Sequence, residues 1–270
     1  MDVLEAQGRC RVVVLVAHGL NLRAHALREL YEPLRTRGAT AIVLRFRGHA
    51  IDAIADAPTR EEWRTLDTRA WVEDWRAAVQ VAADLATERG VDLTFLGFSL
   101  GALVHTYGMA TSEPPPPFRR QVLLAPAVRV RPHTKLVLAF RPLGRRFLVP
   151  SAVPATIRSH GGTSMAAYTA LFGYEAALST LENPAKLKVP TLILMDPGDE
   201  LVSQRRLQYW IDRHGLRPEW RVRPLFKDPL TAASRIKHHV ITSRALGKPA
   251  FDALVSTVSA ALIDGVMPSS

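Results

Sequence analysis

The sequence predicts an α/β domain in which a mostly parallel sheet is flanked by helices. Short apolar runs bounded by turn residues alternate along the chain with longer segments of helical period, the pattern of repeated strand–helix units. The runs themselves, Val12 to Ala17 first among them, are apolar without alternation, as strands covered on both faces are. With 270 residues and 47% apolar content, the chain can bury one large core, so one domain with an insertion is expected.

Cys10 to Ala17 forms the first predicted strand, since its apolar run falls far short of the roughly 20 residues that a bilayer span requires. Arg23 to Arg37 follows as a helix with Leu27, Leu30, Tyr31 and Leu34 on one face, weakened or kinked at Pro33. Ala39 to Phe46 is the next strand. Thr68 to Arg89 is a long amphipathic helix with Trp71, Val72, Trp75, Val79, Ala82 and Leu85 along its buried stripe, closed by Gly90. Val91 to Phe98 is then a strand and Leu100 to Thr111 a helix, after which Pro114 to Pro117 make a stiff extended spacer.

Gln121 to Ala125 and Val189 to Met195 are further strands, and the stretch of about sixty residues between them contains no strand of the same character. Something is inserted there. A helix from Ser203 to His214, a strand from Trp220 to Phe226 and an amphipathic helix from Pro249 to Ile263 complete the chain, and no internal repeat is visible.

Bulk properties narrow the function classes. The single cysteine, Cys10, rules out an intrachain disulfide, and the start Met1 to Arg9 lacks the basic segment of a secretory signal, so a cytoplasmic location is expected. A net charge of +10, from 35 basic and 25 acidic residues, fits a nucleic-acid or anionic-membrane partner, or simply an arginine-rich soluble protein. The arginines are scattered from Arg9 to Arg244 with no dense basic arm or aromatic RNA-binding signature, so nucleic acid is not expected as a partner. Neither a G-x-G-x-x-G nor a P-loop lysine pattern is present and the histidines form no zinc spacing, so no cofactor or metal is expected.

The most informative residues are Gly97-Phe98-Ser99-Leu100-Gly101, a G-x-S-x-G sequence at the junction of a predicted strand and a predicted helix. A sharp turn there lifts the serine hydroxyl above the sheet, and the following helix points its positive end at the site where an oxyanion develops in acyl transfer. The plain alternative is a glycine-bounded turn whose serine caps the helix. His18-Gly19 after the first strand argues for chemistry, because a tight turn there brings the Leu20 N–H to join that of Leu100 in an oxyanion hole. For His18, His25, His49, His105 and His214 a surface or satisfied-core role is the preferred reading.

His18-Gly19-Leu20, Arg47-Gly48-His49, Gly97 to Gly101 and His239-Val240-Ile241-Thr242 together resemble the motifs of the α/β-hydrolase fold, and within it those of bacterial carboxylesterases and monoacylglycerol lipases. With the order of strands and helices, the resemblance spans nearly the whole chain. The chain departs from it at Asn21-Leu22, where relatives often carry a second glycine, and at Ala50, where glycine is usual. It also begins almost at the first parallel strand, which implies a minimal N-terminal sheet.

The resemblance implies a serine hydrolase acting on a small ester or lipid, with a core of residues 1–127 and 183–270 and a lid over residues 128–182. Its nucleophile would be Ser99. The loop Asp196-Pro197-Gly198-Asp199 offers two carboxylates, of which Asp199, before Leu201-Val202 and a helix, is the better match to the family's acid, while Asp196 suits a bond to its own loop backbone. His238 and His239 stand side by side after the last strand, and the family's Gly-His-Val-Ile-Thr pattern selects His239 as the base. The order Ser99, Asp199, His239 is that of the fold. Arg131 to Val149 mixes apolar side chains with Lys135, Arg141, Arg145 and Arg146, which either packs its apolar side over the site or meets a lipid surface as a peripheral contact. Fold and triad leave open a thioester, an amide or a carbon–carbon bond as the target, and also a binding protein without catalysis.

Overall fold

The apolar runs become the strands of one sheet. In the computed structural model, which describes residues 1–151 and 153–267, the strands are β1 (Asp2–Leu4), β2 (Val12–Ala17), β3 (Ala39–Leu44), β4 (Asp92–Phe98) and β5 (Phe118–Leu124). A small ribbon of β6 (Leu148–Pro150) and β7 (Gly162–Ser164) precedes β8 (Thr191–Met195) and β9 (Trp220–Pro224). The main sheet runs β1-β3-β2-β4-β5-β8-β9. All its pairs are parallel except β1 with β3. The minimal N-terminal sheet expected from the sequence is therefore a single three-residue strand lying antiparallel on the edge.

The helices are α1 (Arg28–Thr36), α2 (Ala57–Thr65), α3 (Ala70–Arg89), α4 (Leu100–Thr111), α5 (Met165–Ser179), α6 (Gln204–Arg213), α7 (Ser243–Leu246) and α8 (Lys248–Ser259). Burial explains where they form. Pro33 is accommodated inside α1, whose Leu30, Tyr31 and Leu34 are fully buried, although the predicted helix begins as a separate 3-10 turn over Ala24–Leu27. Two helices escape the sequence pattern. α2 is polar, with Trp63 as its one buried residue, and owes its start to Asp56, whose carboxylate accepts the Thr59 N–H at 2.9 Å. α5 is apolar nearly all round, so it carries no clean stripe, and it packs against α4.

The segment between β5 and β8 splits into two parts of different character. α5 contributes Ala167, Ala170 and Leu171 to the same hydrophobic core as the sheet. The 3-10 run Pro132–Leu143 has no buried residue: Val137 and Leu138 lean on the core, while Leu136 and Leu143 are 72% and 60% exposed. Among the described residues, no helix is long and apolar enough to cross a membrane.

Register brings the chemistry together. Ala17 pairs with Gly97, Phe98 with Leu124 and Leu124 with Leu194, so β2, β4, β5 and β8 end level with one another. The loops leaving their C-terminal ends carry Gly19, Ser99, Ala127 and Asp199, and in such sheets ligands bind outside these ends.

Candidate active site

Ser99 occupies the one-residue turn between β4 and α4 at φ 50° and ψ −108°, a conformation that a side chain seldom adopts. The strain is held by backbone bonds: Ser99 N–H donates to Leu124 O at 2.9 Å, and Ser99 O accepts from Leu103 and Ala127 at 3.1 Å each. Glycine is required at the motif's end because a Cβ on Gly101 would lie 2.5 Å from the carbonyl oxygen of Ala17. The hydroxyl makes no capping bond to α4, so the plain helix-cap role fails.

Instead, Ser99 Oγ lies 3.0 Å from His238 Nε2, and His238 Nδ1 lies 2.7 Å from Asp199 Oδ2. Asp199 is wholly buried, and its Oδ1 accepts the N–H groups of Leu201 and Val202 at 2.8 and 2.9 Å. Burial opposes its ionisation, yet the His238 hydrogen bond and charge, with the two amides, hold its carboxyl below the ordinary value. Asp196 has the other role expected of it: its Oδ1 accepts the Gly198 N–H at 2.7 Å within the loop.

The histidine is therefore His238, and the sequence expectation of His239 is corrected. The His239 ring makes no bond to Ser99 or Asp199, and its Nδ1 is buried without a partner. Burial first, then repulsion from His238 and Lys227, pushes the His239 imidazole down to about 4. Both rings line the cavity, and contacts from distant loops set which of them bonds Ser99. The Glu200 carboxylate accepts the N–H of Lys237 at 2.9 Å and of His238 at 3.1 Å, and the Lys227 ammonium donates to His239 O at 2.9 Å. Glu200 went unnoticed in the sequence, where its position beside Asp199 was the only available signal.

Further anchors come from the segment that follows β5. Arg131 Nε donates to Asp199 O at 2.5 Å, and His133 Nε2 lies 3.0 Å from Glu200 O. The adjacent carbonyls of Asp199 and Glu200 are thus both tied to residues that follow β5.

The expected oxyanion donors sit close to this chain. Leu100 opens α4, where the first N–H groups have no partner within the helix, and Leu20 lines the cavity beside Ser99. The turn carrying Leu20 closes with Leu22 N–H donating to Gly19 O at 3.2 Å. Asn21, which stands where relatives often have glycine, adopts φ 55°, a conformation asparagine tolerates. Its N–H donates to His49 Nε2 at 3.2 Å, and its amide side chain bonds the His160 backbone through both Oδ1 (2.8 Å) and Nδ2 (3.0 Å). His18 and His49 are buried, and burial lowers both, His18 to about 4, so they are neutral packing groups around this turn. His25, bonded to Asp2, His105, between Trp75 and Gln121, and His214, on Trp210 O, are likewise satisfied structurally.

Ser99 and His238 open on a cavity of about 640 Å³. Leu22, Phe98 and Ile241 line it together with Ile157, Tyr168 and Leu171 from the segment between β5 and β8. Among the described residues no cluster of His, Cys, Asp and Glu suits a metal ion.

A family model described as serine aminopeptidase, S33, matches residues 8–169, more than half of the chain. No curated protein matches the sequence. Among solved structures, a soluble variant of monoglyceride lipase from Saccharomyces cerevisiae, in complex with a substrate analogue, is 14% identical with a TM-score of 0.75, covering 98% of this chain and 91% of that one. A metagenome-derived lipolytic enzyme is 20% identical with a TM-score of 0.72 and 98% coverage of both chains. A thermostable carboxyl esterase from Bacillus coagulans, in complex with glycerol, is 11% identical with a TM-score of 0.67, covering 97% of this chain and 93% of that one. At these identities the likeness establishes the α/β-hydrolase fold.

Proposed function

The chain belongs to the serine aminopeptidase S33 family of α/β-hydrolases, and we propose that it is a serine hydrolase cleaving carboxylic esters through an acyl-enzyme on Ser99. The observation that carries this is the unbroken hydrogen-bond chain Asp199–His238–Ser99 opening into an apolar-walled cavity. In the first step Ser99 Oγ attacks the ester carbonyl carbon while His238 Nε2 takes the hydroxyl proton. The N–H groups of Leu20 and Leu100 receive the oxyanion, and His238 passes its proton to the departing alkoxide. Water then attacks the acyl-enzyme with His238 again as base, releasing the acid and restoring Ser99. Asp199 keeps the proton of the neutral imidazole on Nδ1 and stabilises the imidazolium.

A mono-acyl ester or lysolipid suits the cavity, whose lining beside Ser99 is largely apolar. An aminopeptidase needs a carboxylate free to meet the substrate's ammonium group. Glu200 is the acidic residue lining this cavity, and both its oxygens already accept backbone N–H groups. An ester is therefore favoured over an aminoacyl amide. Residues 128–182 act as the lid, and exposed Leu136, Phe140 and Leu143, interspersed with Lys135, Arg141, Arg145 and Arg146, make its outer side a peripheral contact for anionic lipid. Failure to co-sediment with anionic vesicles at low salt would remove the lipid contact.

The test is fluorophosphonate labelling of wild type and Ser99→Ala, with turnover of p-nitrophenyl esters of increasing acyl length against aminoacyl p-nitroanilides. Labelling that needs Ser99, together with ester turnover, is expected. Folded wild-type protein that takes no label would refute the reading, and anilide turnover exceeding ester turnover would replace it with a peptidase.

A further inference from the structure

Away from the catalytic cavity, four arginines share one concave site along α6: Arg129 after β5, Arg205 and Arg206 in the first turn of α6, and Arg213 at its last residue. Arg129, Arg205, Arg206 and Arg213 line a separate cavity of about 430 Å³ together with Tyr209 and Trp210. Arg129 is only 6% exposed, yet its guanidinium donates to carbonyls alone, to Val128 O at 2.8 Å, Leu178 O at 3.0 Å and Glu175 O at 3.2 Å. Its Cζ lies 5.1 Å from the centre of the Trp210 ring. The nearby Glu175 carboxylate is bound to Lys135 at 2.6 Å. Burial lowers the Arg129 guanidinium to about 10; attraction to Glu175 opposes this, and repulsion from Arg206 and Arg213 adds to it.

The other three are equally short of counter-charge. Arg206 donates to Val130 O, and among the described residues Arg205 and Arg213 have no partner. By contrast, Arg47 is paired with Glu73 and Asp74, Arg89 with Glu5 and Arg146 with Glu61. Arg205 and Arg206 also stand in the first turn of α6, which has no acidic residue, at the helix end where cations are unfavourable. Four positive charges thus line one concave site, two of them at a helix end that disfavours cations, and an anion there would offset them.

The geometry points to a phosphoryl-binding site here, for a small molecule carrying one or two phosphoryl groups. Planar guanidinium forks match phosphoryl oxygens two at a time, and a phosphoryl group supplies close to two charges and three acceptor oxygens. The volume falls within the range of small-molecule sites. The site shares no lining residue with the catalytic cavity, so it goes beyond ester hydrolysis and does not depend on it.

Calorimetric titration of the whole protein with pyrophosphate at low ionic strength tests the site, using wild type, Arg205→Ala, Arg213→Ala and the double variant. Saturable binding is expected, weakened ~10-fold by each substitution, with thermal unfolding unchanged because both side chains are exposed. A parallel arm uses phosphatidylcholine vesicles with and without phosphatidic acid. Pyrophosphate binding that needs the two arginines identifies a soluble ligand, and arginine-dependent capture by phosphatidic acid vesicles alone identifies a lipid headgroup. No saturable pyrophosphate binding and no arginine-dependent capture, or binding indifferent to both substitutions, overturns the proposal.

Discussion

Replacing His238 by alanine removes the ring that bonds Ser99 Oγ at 3.0 Å and Asp199 Oδ2 at 2.7 Å. Without it no base faces the hydroxyl, and the loss expected in kcat is ~10,000- to 1,000,000-fold, about 5 to 8 kcal/mol of transition-state stabilisation. His239→Ala removes a ring whose Nδ1 has no partner, so the expected change in kcat stays within ~10-fold, arising only from altered packing of the cavity wall. The assay is p-nitrophenyl ester turnover together with the rate of fluorophosphonate labelling, each normalised to folded protein. Alanine at 238 also leaves the buried Asp199 carboxylate without its partner, so His238→Gln, which retains a donor for that carboxylate, accompanies it and should be as inactive. If His239→Ala were the inactive variant and His238→Ala retained turnover, the geometric assignment would be wrong and the family motif right.

Two further outcomes are expected. Glu200→Gln exchanges one of the oxygens holding the Lys237 and His238 amides for an NH2 group, and should lower kcat ~10-fold with KM little changed; a change confined to KM would show that Glu200 contacts substrate instead. Acid should destabilise the fold well above the carboxylate range. His18, His105 and His239 are held by burial to about 4, 3 and 4, below the 6.5 of an unfolded chain, so their contribution is complete above pH 6.5 and is lost as pH falls toward those values. Each removes on the order of 1 kcal/mol per pH unit in that window. Asp199, also lowered, acts in the same sense further down: its contribution is present above its ordinary 3.8 and is lost as pH falls through the lowered value. Urea unfolding at pH 7 and pH 5 measures the first window, and equal stabilities would refute it.

The elements that periodicity can mark were legible: α4 spans Leu100–Thr111 as predicted, and the parallel strands lie within the predicted runs apart from Phe118–Arg120, which extends β5 through two arginines. What escaped notice lacked a period. α5 is apolar on nearly every side, α2 buries only Trp63, and β1, β6 and β7 have three residues each. For such segments, tertiary contacts supply the stability that an amphipathic stripe would otherwise advertise. Ser99 was legible for the opposite reason, because it directly follows β4 where the backbone itself sets its position, and Asp199 because it lies in the short loop between β8 and α6.

The histidine had no such anchor. Between β9 and α7 runs a long irregular stretch with two adjacent imidazoles, and the backbone turns there, His239 N–H donating to Ile236 O at 3.1 Å. A shift of one residue would exchange the ring bonded to Ser99 for the one that only lines the cavity, without altering any local propensity. Contacts from elsewhere break the tie: Glu200, one residue past the acid, grips the amides of 237 and 238, and Lys227 binds the carbonyls of Ser234, His239 and Ala245. The acid loop thus supplies both the carboxylate that bonds the imidazole and the one that fixes its backbone. The Glu200→Gln variant separates these functions, because it leaves Asp199 in place and loosens only the register of the loop it faces.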